Sequence, residues 1–166
     1  DAFREYAHRV VDNADALAGY CTQEELTVVS GGTDNHLLLI DVTPYGLTGR
    51  QAESALREAG ITLNRNSLPF DPNGAWYTSG LRLGTPALTT LGMGKEEMRE
   101  IASVIKLVVS NTKPSKIAKG KNTGKASQAR YKILPLALES ARSRVSDLLH
   151  HYPVYPELDL DYLEQS

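Results

Sequence analysis

Phe3, Ala7, Val10, Ala14, Leu17 and Ala18 recur at spacings of three and four, one stripe of an amphipathic helix that the pattern predicts from the start of the chain to about Gly19. Residues 26–30 and 37–42 are rich in Val, Ile and Leu and are separated by Gly31, Gly32, Asp34 and Asn35. They read as two strands of a hairpin or meander, the second buried on both faces. Thr48 and Gln51 form a capping box ahead of a stripe of Ala52, Ala55, Leu56 and Ala59, with Gly60 as the stop. Met98, Ile101, Ala102, Ile105, Val108 and Val109 predict a further helix, and Leu134, Leu138, Ala141, Val145 and Leu148 a last one. Residues 61–86 are rich in Pro, Asn, Gly and Thr and predict loop with edge strands at 61–63 and 81–83. The fold class this order implies is α+β: a small antiparallel or mixed sheet with helices on one face.

A length of 166 residues fits a single domain, taken as residues 1–156, with an acidic tail at 157–166. Residue 1 is Asp with no initiator Met before it, so the true start is expected elsewhere. Residues 113–132 carry Lys113, Lys116, Lys119, Lys121, Lys125, Arg130 and Lys132 with no acid, and the stretch from 113 to 128 reads as a mobile basic loop. The chain as a whole has a formal charge of -2, so no overall field favours nucleic acid or an anionic membrane as a partner. The longest apolar run, 37–40, is far below the roughly 20 residues of a membrane span. The one cysteine, Cys21, leaves no internal disulfide or cysteine-built zinc site and suits a reducing cytosol, so the expected location is cytoplasmic.

Tests for catalytic motifs mostly return structural accounts. His8 and Asp12 form one helical pair, read as solvated, and no metal site is expected. His150 and His151 suit the carbonyl end of a helix, and Asp34, Asn35 and His36 suit a turn. Gly31 and Gly32 lead into a strand and begin no phosphate loop, and no Gly-x-Ser-x-Gly elbow is present. Arg82 is different. It stands alone inside the apolar strand Leu81-Arg82-Leu83 and needs either the carboxylate of a ligand, an internal ion pair, or an outward position in an alternating strand.

Val28-Val29-Ser30-Gly31-Gly32-Thr33-Asp34-Asn35-His36-Leu37, Leu47-Thr48-Gly49, Gly60-Ile61-Thr62-Leu63-Asn64-Arg65-Asn66, Thr78-Ser79-Gly80-Leu81-Arg82-Leu83-Gly84-Thr85-Pro86-Ala87 and His151-Tyr152-Pro153-Val154-Tyr155 together resemble the C-terminal part of serine hydroxymethyltransferase. The resemblance implies the small domain of an aspartate-aminotransferase-type, fold type I pyridoxal-phosphate enzyme, whose active site lies at a dimer interface. It implies transfer of the serine hydroxymethyl group to tetrahydrofolate, giving glycine and methylenetetrahydrofolate, within one-carbon metabolism and amino-acid biosynthesis. It places Arg82 at the substrate carboxylate, and Asn66 with Gly74, Ala75 and Trp76 at the folate. The family's pyridoxal-phosphate lysine follows a histidine in the large domain. No His-Lys pair occurs here, so these residues are expected to include no catalytic group and to be inactive alone. The implied partners are that large domain and further copies in a homodimer or tetramer. Leu91 stands where the family commonly has an arginine, which leaves open the small domain of a related threonine or α-methylserine aldolase-type enzyme. A free-standing, non-catalytic ligand-binding or interaction module is the other alternative.

Overall fold

A computed structural model describes residues 1–155, so the acidic tail expected at 157–166 lies outside the described residues. Helix α1 (Ala2–Gln23) continues a turn past Gly19, because its apolar stripe runs on through Leu17 and Ala18 to the fully buried Cys21. Burial pushes the Cys21 thiol up to about 12, with the nearby Glu24 charge adding to the effect, so the side chain serves as a small apolar residue of the core. Glu25, in the left-handed region at φ 59, turns the chain into β1 (Thr27–Val28).

Four strands form the main sheet: β1, β2 (Leu37–Asp41), β3 (Asn64–Asn66) and β4 (Gly80–Gly84), in the order β1-β2-β4-β3 and antiparallel throughout. Side chains alternate between faces along each strand. Leu38, Ile40, Leu81 and Leu83 are buried in the core with residues of α1, of α2 (Gly49–Glu58) and of α5 (Lys95–Ser110). Leu37, Leu39, Arg82, Asn64 and Asn66 occupy the opposite face, where burial is partial or absent. This corrects two expectations. Strand β2 is buried on one face only, because helices cover one side of the sheet, and 81–83 belongs to an interior strand while the edge is β3, displaced beyond 61–63. Short helices α3 (Gly74–Tyr77) and α4 (Pro86–Thr90) flank β4.

Helix α2 begins as its sequence dictates. The Gln51 N–H donates to Thr48 Oγ1 at 3.2 Å and the Thr48 N–H to Gln51 Oε1 at 3.0 Å, and Gly60 at φ 91 ends the run. Helix α6 (Pro135–His151) is fastened to α5 by Arg144, which donates to both carboxylate oxygens of Glu100 at 2.5 and 2.8 Å, and by the Tyr152 hydroxyl on Glu97 at 2.7 Å.

The basic stretch is not one loop. Residues Thr112–Lys116 form β5 and Ala126–Ile133 form β6, an antiparallel pair closed by a tip at 117–125. Two contributions outweigh the repulsion of its charges. Tyr131 and Ile133 pack against the core, and the irregular register between Pro114 and Lys116 frees carbonyls that helix α2 satisfies. The buried Gln51 Nε2 donates to Ser127 O at 2.6 Å and to Arg130 O at 2.9 Å, while Thr48 Oγ1 donates to Gln128 O at 2.8 Å. The residues that cap the helix thus also fasten the hairpin.

Candidate functional site

Arg82 projects from the centre of β4, with Leu39 opposite it on one side and Asn64 on the other. Its side chain is exposed, and no hydrogen bond or ion pair to it occurs among the described residues. The internal ion pair allowed by the sequence is therefore not formed; Arg82 takes the outward position of an alternating strand, between buried Leu81 and Leu83, with its fork of donors unpaired and available to a carboxylate. Asn66 lies diagonally across, opposite Gly80, so the sheet brings Arg82 and Asn66 to one face. The Asn66 amide donates to Ser67 O at 2.7 Å, which leaves its carbonyl oxygen available. A cleft of about 520 Å³ is lined by Ile61, Leu83, Val145 and Leu148, with Asn64 and Arg82 among its few polar residues.

Residues 66–80 owe their shape to Asp71. Its carboxylate accepts from Leu68 N at 3.0 Å, Asn73 N at 2.8 Å, Ser79 N at 2.8 Å and Ser79 Oγ at 2.6 Å. Partial burial acts against the charge, but the Ser79 hydroxyl and the three backbone donors outweigh it and hold the carboxyl below its usual value of 3.8. A depressed native value means that this contribution is complete above the ordinary carboxylate value and is lost as pH falls through the depressed one. Trp76, the one tryptophan, reports on the loop. Its emission is expected to hold from neutral pH down to about 4 and to change below that, whereas Asp71→Asn should show the changed emission at pH 7. Identical emission in the variant would show that the carboxylate does not organise the loop.

Gly74, Ala75 and Trp76, expected beside folate, are all exposed in and around α3, Trp76 to 62%. Trp76 does not share the open sheet face with Arg82. It is stacked with two guanidiniums, Arg50 at 5.2 Å from α2 and Arg65 at 5.5 Å from β3. Arg65 also pairs with Glu53 at 2.8 Å, while Arg50 has no carboxylate partner among the described residues. Sequence reasoning missed both arginines because 15 positions separate them; only the fold joins them. Asp71 had a signal, the Asp71-Pro72-Asn73-Gly74 turn cluster.

Thr78 is a further residue that the sequence did not single out. It is 4% exposed, its hydroxyl is buried without a partner, and its backbone sits at φ 55 and ψ 174. That conformation is costly for a β-branched residue, on the order of 1–3 kcal/mol. It persists because Gly49 N donates to Thr78 O at 3.0 Å and Thr78 N to Gly74 O at 2.9 Å, which fixes the entry of β4 against α2. The histidines keep their structural roles: His151 Nδ1 lies 2.7 Å from Asp147 O at the end of α6, and the turn is held by Asn35 Oδ1, which accepts from Leu37 N at 3.0 Å. Leu91 is half-buried against the core, so packing accounts for it. No cluster of metal-binding side chains occurs among the described residues, and no helix there is long and apolar enough to cross a membrane.

The lysines do not suit a Schiff base. Seven of the eight are exposed. Slight burial acts against the charge of the eighth, Lys106, but Tyr45 and Glu25 outweigh it and raise the pKa, the reverse of what an amine nucleophile needs. The residues present therefore do not fit as the anchor of pyridoxal phosphate.

A family model described as serine hydroxymethyltransferase matches residues 1–105. The serine hydroxymethyltransferase of Treponema pallidum (strain Nichols) is 54% identical over 162 residues, covering 98% of this chain and 28% of that protein. That of Salinispora tropica is 52% identical with 95% and 32% covered, and that of Mycolicibacterium smegmatis 50% identical with 96% and 31% covered. The chain thus spans about a third of the length of the relatives it matches, and its α+β architecture agrees with a C-terminal domain of a fold type I enzyme. This chain belongs to the serine hydroxymethyltransferase family.

Proposed function

We propose that the chain is the C-terminal domain of a pyridoxal-phosphate-dependent serine hydroxymethyltransferase that converts serine and tetrahydrofolate to glycine and methylenetetrahydrofolate. The cofactor is held by the large domain outside these residues, and the whole acts as a cytoplasmic homodimer or tetramer. Arg82 binds and orients the amino-acid carboxylate. Asn66, Gly74, Ala75 and Trp76 form part of the folate wall, with the Asn66 carbonyl as acceptor and the Trp76 ring as stacking surface. The observation that carries this reading is the unpaired Arg82 guanidinium on the helix-free face of the sheet, flanked by Leu39, where a covering domain would exclude water and strengthen its hold on an anion.

The test is borohydride reduction of the full-length protein loaded with pyridoxal phosphate, followed by peptide mapping, together with a folate-dependent serine cleavage assay. We expect turnover and one labelled lysine outside residues 1–166. A label on any of the eight lysines here, or serine turnover indifferent to folate, overturns the reading.

A further inference from the structure

We propose that the cleft between β4 and α6 binds an apolar monocarboxylate, an acyl chain of about eight to ten carbons whose carboxylate sits on Arg82 and whose tail fills the cleft. The competition with serine argued below rests on the reading above, in which Arg82 holds the amino-acid carboxylate. The cleft follows from unequal strand lengths. Strand β3 has three residues and β4 five, and the register sets Asn64 opposite Arg82, so Leu83 and Gly84 have no strand beside them on that side. The chain ahead of β3 is drawn toward the helices instead: Gly60, at φ 91, lies against Val145 of α6, and Ile61 N donates to Leu56 O at 2.9 Å. The gap that remains is floored by the core residues Leu83, Met93 and Ile101 and walled by Ile61, Val145 and Leu149.

The chemistry of the lining selects the ligand. Among the described residues that form the cleft, Arg82 alone carries a permanent charge, and no Asp or Glu is present. One cation without an acid fits one carboxylate and leaves an ammonium group on the rest of the ligand with nothing to pair with. Serine bound to Arg82 would leave the cleft empty, because its side chain is a single hydroxymethyl group. A hydrocarbon tail there covers Leu149, which is 44% exposed, and removes the edges of Leu83 and Ile101 from water. A strand or helix of a protein partner fits less well, since its backbone N–H and C=O groups would enter an apolar cleft in which Asn64, His36 and Thr62 are the only other polar side chains among the described lining residues. The site therefore makes the protein a sensor of apolar acids, which displace serine by occupying the same guanidinium.

The experiment measures inhibition of serine cleavage by hexanoate, octanoate and decanoate on the full-length protein, each below its micelle concentration, with decylammonium as the probe of equal tail and opposite charge. Inhibition is expected to be competitive with serine and to strengthen by roughly three- to fourfold per methylene, the equivalent of a buried CH₂, hence about a hundredfold from hexanoate to decanoate. Decylammonium should be at least about tenfold weaker than decanoate. Val145→Phe, which fills the cleft, and Leu149→Glu, which sets a like charge in its wall, should each weaken decanoate about tenfold or more while KM for serine stays within about twofold. If Val145→Phe fails to fold, Leu149→Glu decides, since that side chain is exposed. No inhibition, inhibition that serine does not relieve, equal inhibition by decylammonium, or inhibition that survives in Leu149→Glu overturns the proposal and leaves the Arg82 reading intact. If serine turnover is absent, the functional reading falls, and calorimetry with decanoate decides the cleft by itself: binding lost in Arg82→Ala and weakened in Leu149→Glu upholds the site, and binding indifferent to both, or none, overturns it.

Discussion

Replacing Arg82 by alanine in the full-length protein is expected to lower kcat/KM for serine roughly 30- to several-thousand-fold, the equivalent of about 2–5 kcal/mol for a lost hydrogen-bonded charge partner. Lysine at this position should not restore activity, because an ammonium lacks the planar pair of donors that matches a carboxylate. Stability should change by no more than about 0.5 kcal/mol, since the side chain is exposed and makes no ion pair among the described residues. Steady-state kinetics and thermal melting on the same preparations separate the two quantities. A steep loss of melting temperature with unchanged serine kinetics would make Arg82 a structural residue.

The largest effect on folding is expected at Gly49, at the first position of α2. Alanine in a helix is ordinarily better than glycine by about 1 kcal/mol. Here a Cβ would lie 2.2 Å from Thr78 Oγ1 and 2.6 Å from the backbone oxygen of Gly80, and a backbone oxygen cannot rotate away. Gly49→Ala should therefore destabilise by about 2–4 kcal/mol, a fall of about 5–15 °C in melting temperature. Gly19→Ala is the control: it sits inside α1 with nothing within 4 Å of a new Cβ, so it should stabilise by about 0.5–1 kcal/mol. A neutral Gly49→Ala would mean that α2 and β4 are free to separate.

These two positions also show what the sequence makes legible. Local features were: the Thr48 and Gln51 capping box, the Gly60 stop and the lone Arg82 in an apolar strand follow from periods and spacings of a few residues. Long-range ones were not. The pairing of β4 between β2 and β3 rests on a register no local pattern encodes, so an interior strand was expected at an edge. The hairpin at 112–133 was hidden because charge and small polar residues resemble disorder, and the bonds that secure it come from Thr48 and Gln51, some 80 positions earlier. Trp76, Arg50 and Arg65 likewise become one cluster only after α2, β3 and α3 have assembled.

The attachment of that hairpin and its tip are physically separate. Thr48 and Gln51 hold residues 127–130, whereas the tip is closed by its own bonds, Ile117 N to Lys125 O and Gly124 N to Ile117 O, each 2.9 Å. Changing the length of the tip disturbs no core contact and costs loop entropy that grows only logarithmically, about 0.6 kcal/mol per doubling. Residues 117–125 are accordingly the natural place for an inserted tag or fluorophore, and for insertions to accumulate in evolution while the strands below keep their seat on helix α2.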